Sequence, residues 1–170
     1  SYERLSMPDN DLNAVWPVRP TPGINRGYQT GVRRPDGTLA LTLPMGDKKL
    51  PCIAAEDIGK CALGIFKKGR EYIGKTVVIA GEHLTGNEMA AAMTKAFGQP
   101  VRYNAVTPEQ YRAFGFPGAD DLGNMFQFKH DFNEAFCGPR NPAVARSLNP
   151  ALLTFEAWLA QNKSRIPLTS

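Results

Sequence analysis

Histidine, cysteine and long apolar runs are all scarce in this sequence, and each scarcity removes a class of function. The two histidines, His83 and His130, stand far apart, and neither has a neighbour at the spacing of a helical metal pair, so no metal site is expected. Cys52, Cys61 and Cys137 share no metal-type spacing, and their odd number argues against a disulfide framework. They read as packed thiols in a reducing compartment. Apolar runs such as residues 77–80 are far too short to cross a bilayer, and the first residues lack the basic-then-apolar pattern of a secretory leader. An intracellular, cytoplasmic chain with no membrane partner is expected. A net charge of +4 invites a nucleic-acid reading, which needs basic residues gathered on one face with aromatics among them. The pairs Arg33-Arg34, Lys48-Lys49 and Lys67-Lys68 are instead scattered among acids, so a solvated surface is expected and no nucleic-acid partner.

What is present is enough apolar sequence, 42% of 170 residues, to bury a sizeable core. The character changes near residue 50. The first part is rich in proline and glycine, with short strands expected only at residues 14–18 and 39–43 and loop elsewhere. From Pro51 an α/β rhythm sets in. Ile58, Cys61, Ala62, Ile65 and Phe66 fall at helical spacing and predict a helix that stops near Gly69. A strand is expected at 76–80, then a helix to about Phe97 closed by Gly98 and Pro100. "VRYNAV" reads as the next strand. Thr107-Pro108-Glu109-Gln110 opens another helix with a capping box and proline at the first helical position. A longer helix over 120–136 and a last one after Thr154 complete the reading.

The stretch "TVVIAGEHLTGNEMAAAM" tests for a nucleotide site, because apolar residues run into two glycines and a helix. A phosphate cradle needs closely spaced glycines and a helix whose free N–H groups face the pyrophosphate. His83 stands where the dinucleotide fingerprint wants glycine, and Asn87-Glu88 stand where the other phosphate loop wants Lys then Ser or Thr. Thr85 and Glu88 have capping-box spacing instead, which engages the amides a phosphate would need. A structural turn is expected. None of the five tyrosines has a lysine four residues on, so the Tyr-x-x-x-Lys pair of short-chain reductases is missing. The acid pairs Glu56-Asp57 and Asp120-Asp121 fall at helix starts, where negative charge is favourable in any case. On its residues alone this is an α/β domain with no visible active site.

Several longer stretches carry a resemblance: "PDGTLALTLPMGD", "AAEDIGKCAL", "GEHLTGNEMAAAMTKAFGQPVRY", "TPEQYRAFGFPGADDLGNMFQF" and "LNPALLTFEAWLAQNK". Through them residues 35–170 resemble the C-terminal part of the NmrA-like family, a branch of atypical short-chain dehydrogenase/reductase-fold proteins; the "GFPGADDLGNMF" run is similar to an NADPH-sensing member. The resemblance implies an α/β fold, the substrate-side portion of an NAD(P)-binding Rossmann-like fold without its N-terminal glycine-rich half. Residues 1–34 then form a proline/glycine-rich segment of their own, and a truncated or rearranged product is expected. In the family a short cofactor-contacting segment follows an Arg-Pro like that at Arg19-Pro20. It falls here on Pro22, Gly23, Ile24 and Asn25, of which Asn25 alone matches in type.

The family implies NADP(H) as cofactor, bound weakly or not at all by a chain of this content, and a non-catalytic, NADP(H)-responsive redox-sensor role. Two other readings stay open. One is a fragment of an NAD(P)H-dependent, quinone-reductase-like oxidoreductase, with a substrate pocket around Met45, Phe116 and Met125, residues whose apolar spacing equally suits a core. The other is an interaction module without a small ligand. Few and short strands leave apolar helix faces unmatched, so self-association or a protein partner is expected to cover them.

Overall fold

The computed structural model describes residues 30–33, as backbone, and 38–166. The strand expected at 14–18, the Arg19-Pro20 pair and the segment Pro22, Gly23, Ile24, Asn25 lie outside the described residues. Among the described residues, five strands form two small sheets and seven α-helices follow or separate them. Strands β1 (Thr30–Arg33) and β2 (Leu39–Leu43) pair antiparallel, with a bulge between Thr30 and Val32, and β2 pairs in parallel with β5 (Val101–Ala105). Every residue of β2 is buried, as a central strand covered on both faces should be. The second sheet is β3 (Leu50–Cys52) against β4 (Glu82–Leu84), antiparallel.

The helices are α1 (Ala55–Lys68), α2 (Gly86–Phe97), α3 (Pro108–Arg112), α4 (Ala119–Asp131), α5 (Asn133–Cys137), α6 (Pro142–Leu148) and α7 (Phe155–Asn162). Both capping boxes form: Thr85 Oγ1 accepts from Glu88 N–H at 3.2 Å and Glu88 Oε2 from Thr85 N–H at 2.7 Å, with Thr107 and Gln110 repeating the exchange at α3. Gly98 ends α2 in the left-handed region, as its place after the apolar pattern predicts.

The main core joins Leu39, Leu41, Leu43 and Met45 to Met89 and Met93 of α2, Tyr111, Phe116 and Phe126 around α3 and α4, and Trp158 and Leu159 of α7. A smaller cluster holds α1 against α6 through Ile53, Cys61, Ala145, Leu148 and Leu152. Gly64 makes that approach possible, since a Cβ there would strike the backbone carbonyl of Leu148.

The structure corrects four expectations. Among the described residues, 76–80 pair with no strand; Val77 and Ile79 pack on the smaller cluster, and backbone pairing to β3 begins where Gly81 donates to the Cys52 carbonyl at 2.7 Å. The helix expected over 120–136 breaks at Phe132, whose φ of −108° and ψ of 35° leave the helical region and start α5. Strands β1 and β3 and helix α6, absent from the sequence reading, are short elements fixed by tertiary partners. Finally, Asp57 lies in the first turn of α1 as expected, but it is buried rather than solvated there.

Candidate functional site

In α/β sheets ligands gather beyond the carboxyl ends of parallel strands. Here those ends are Leu43 and Ala105, followed by the loops that begin at Pro44 and Val106. Tyr103 leans across this edge and its hydroxyl donates to the Leu43 carbonyl at 3.2 Å. Burial pushes the phenol up, the charge of Asp47 adding to the effect and a backbone hydrogen bond from Met45 opposing it. Such a phenol keeps its proton at neutral pH, whereas a reductase tyrosine needs a lowered pKa to transfer one. Asn104 Nδ2 donates to Thr42 Oγ1 at 3.2 Å, so these polar groups of the edge bond to one another. His130 lies alongside at Gly46, and its Nδ1 meets Asp131 Oδ1 at 2.9 Å.

Met45, Phe116 and Met125, read as pocket or core, belong to the core. Met45 and Phe116 are buried, Met125 packs against their cluster, and the Tyr111 ring meets Phe116 and Phe126 edge-on at 5.6 and 5.5 Å.

The turn at 81–86 is the described place where a pyrophosphate could be sought, and its chemistry is already committed. Thr85 and Glu88 amides serve the capping box, and Met89 N–H donates to the Thr85 carbonyl at 3.0 Å. The glycines have packing reasons. A Cβ on Gly86 would fall inside the Tyr103 ring, and one on Gly81 would lie 3.1 Å from the Cys52 carbonyl oxygen. Glu82 turns its carboxylate to the N-terminus of α7, accepting from Phe155 N–H at 2.6 Å, where the helix dipole favours it. His83 Nε2 meets the Arg140 carbonyl at 2.7 Å. Part of the donor set that a dinucleotide pyrophosphate would use is therefore taken, with the Glu88 carboxylate beside it, and the spacing is not that of a dinucleotide fingerprint.

Asp57 stands in the first turn of α1, as its place at a helix start predicts, but its partners were not legible. Its carboxylate is wholly buried and accepts from Lys60 Nζ at 2.8 Å, Asn149 Nδ2 at 3.1 Å and Leu153 N–H at 2.8 Å. It ties α1 to the α6–α7 connection, a structural joint with no opening toward a substrate. Two of its partners are more than 90 residues away, which local spacing cannot reveal.

Burial also raises the thiols of Cys61 and Cys137 and, most strongly, that of Cys52, to about 12, consistent with packed and unreactive cysteines. Among the described residues no three of His, Cys, Asp and Glu are placed to hold a metal ion, and no helix is long and apolar enough to cross a membrane.

Comparison with known proteins agrees with this architecture. The sequence profile of the NmrA-like family matches residues 26–159. An NAD(P)H azoreductase of Xenophilus azovorans is 38% identical over 68 residues, 40% of this chain and 24% of its own. Two solved structures share the fold. NmrA, a negative transcriptional regulator crystallised with NAD, matches with a TM-score of 0.61 and 24% identity, over 76% of this chain and 44% of its own. An NADPH-dependent quinone oxidoreductase of Escherichia coli complexed with NADPH matches with a TM-score of 0.54 and 20% identity, over 72% and 44%. The chain thus spans under half the length of these relatives, as a partial NAD(P)-binding Rossmann-like fold.

Proposed function

Because this chain belongs to the NmrA-like family, we propose that it is an NADP(H)-responsive regulatory protein without catalysis of its own, contributing the substrate-side portion of the fold. The observation that supports the NADP(H) part of this reading is the family match over residues 26–159; the turn at 81–86, with its Thr85 and Glu88 amides engaged and its glycines set by packing, supports weak binding. On this reading the described residues hold the sheet edge and its loops in place rather than contact a phosphate. Cofactor binding by this chain is accordingly weak. Tyr103 supports the non-catalytic half of the reading, since its proton is held by burial and by the Leu43 carbonyl. The NmrA regulator is the relative whose named role agrees with it.

A second reading, part of an NAD(P)H-dependent oxidoreductase, is favoured by the azoreductase and quinone oxidoreductase matches. The two separate in one assay: NADPH oxidation by the purified chain with a quinone or an azo dye as acceptor. The regulatory reading predicts no rate above the chain-free control. Saturable turnover that follows the protein concentration would establish the reductase instead.

A further inference from the structure

The stretch between Lys129, the last buried residue of α4, and Ala145, the first of α6, is attached differently from the helices on either side of it. Helix α4 is seated through Ala119, Gly123 and Phe126 and α6 through Ala145 and Leu148, but no residue from 130 to 144 is buried. This stretch holds α5 and the turn after it. Its amides close on the segment itself: Phe136 N–H donates to the Phe132 carbonyl at 2.9 Å, Gly138 N–H to that of Glu134 at 2.8 Å and Arg140 N–H to that of Cys137 at 3.0 Å. Arg140 adds a clasp, its guanidinium 3.7 Å from the Phe136 ring centroid and its Nη1 donating to the Phe136 carbonyl at 2.6 Å. The segment can therefore move as one piece without losing its own bonds.

Polar bonds to the β3–β4 sheet hold it down. Asn133 Nδ2 donates at 2.7 Å to the carbonyl of Lys49, the residue before β3, and the Cys137 thiol donates to the same oxygen at 3.5 Å. From β4, His83 Nε2 stands 2.7 Å from the Arg140 carbonyl; a carbonyl only accepts, so that nitrogen carries the proton. Phe136 adds an edge-on contact to Phe128 at 6.3 Å, but Phe128 is itself 54% exposed. The Phe136 ring also meets the Lys129 ammonium at 5.3 Å, so Lys129 and Arg140 share one ring, and two like charges gathered there oppose the closed arrangement. Break points stand at both ends. Phe132 leaves the helical region, and Asn141 is extended at φ −69° and ψ 119° while its Oδ1 caps α6 by accepting from Ala143 N–H at 2.9 Å.

We propose that residues 132–141 are a hinged strap, latched to the β3–β4 sheet by His83 and by the Lys49 carbonyl, which opens as a unit and takes the Phe136 ring off the Lys129 side chain. Local openings of this kind belong where buried apolar contacts are few, at free energies well below that of global unfolding. The proposal does not depend on the cofactor reading.

Hydrogen exchange on the full chain, read by mass spectrometry and corrected for intrinsic rates, tests it. In the wild type the amides of 134–140 should exchange together, at least about tenfold faster than those of 123–130 in α4. His83→Ala should speed exchange of the strap about fivefold, the effect of one net hydrogen bond, and leave α4 and α6 as they were. His83→Gln, whose amide still donates, should recover most of the protection. Asn133→Asp separates latch from helix: an acid at the first residue of α5 suits a helix start, yet it no longer donates to the Lys49 carbonyl. The strap should again exchange faster; unchanged or slower exchange there would mean that α5 protects itself, which overturns the proposal. Wild-type strap amides as protected as those of α4, a His83→Ala strap that does not speed up, or an α4 that speeds up equally would overturn it too.

Discussion

Gly86 shows how a residue that resembles part of a phosphate loop can be required by packing alone. Its Cα lies so close to the Tyr103 ring that any side chain would overlap it. Gly86→Ala is therefore expected to destabilise the chain by about 1–3 kcal/mol, the range for overpacking a well-filled site. Urea denaturation checks this, and an unchanged midpoint would remove the packing explanation. Thr85 and Glu88 were legible at this scale because a capping box is a local device whose partners stand three residues apart. Asp57 was not. Its buried carboxylate is defined by Asn149 and Leu153, so its composition and position read like an ordinary helix start. The thiol of Cys52 gives a pH prediction. Below about pH 9 it is neutral in both states; between 9.0 and about 12 the unfolded chain loses the proton while the folded chain keeps it. Stability should fall as pH rises through that window, and Cys52→Ala should flatten the decline measured by denaturant melts from neutral to alkaline pH.

At the scale of elements, α1 depends on a joint rather than on its own sequence. No side chain caps its N-terminus, and Asp57 instead fastens it to the α6–α7 connection while Gly64 lets it close on Leu148. Asp57→Ala would strand the Asn149 amide and the Leu153 N–H in a buried place, at about 1–3 kcal/mol for each unsatisfied group. We expect a total loss on the order of 3 kcal/mol by chemical denaturation, and a loss under about 1 kcal/mol would show that water or a rearrangement replaces the joint. Long amphipathic helices such as α1 and α2 were readable from their apolar spacing, and α3 from its cap. The strands were harder. Residues 76–80 carry every local mark of a strand, yet pairing starts at Glu82, because burial and ladder formation ask for similar side chains. The break at Phe132 is likewise invisible in composition, since neither glycine nor proline marks it.

For the whole molecule, family membership and fold were visible in stretches scattered over most of the chain, and the family match over residues 26–159 agrees with them. The α/β order, helix after strand, also followed from periodicity. What local patterning could not give is the pairing of β2 with β5, which joins residues about 60 apart in a parallel ladder. Nor does it give a cofactor contact: Pro22, Gly23, Ile24 and Asn25 stand outside the described residues, and the Thr85 and Glu88 amides of the described glycine turn serve its capping box. The relatives crystallised with NAD or NADPH are more than twice as long as the part this chain matches.

The account rests on the state of the amides at residues 81–89, and a backbone-resolved NMR titration with NADPH reads them directly. It predicts that the signals of Gly81, Thr85, Gly86, Glu88 and Met89 stay in place as NADPH is raised through the micromolar range. Saturable shifts confined to those amides, with a low-micromolar midpoint, would show a phosphate seated in the turn and contradict it.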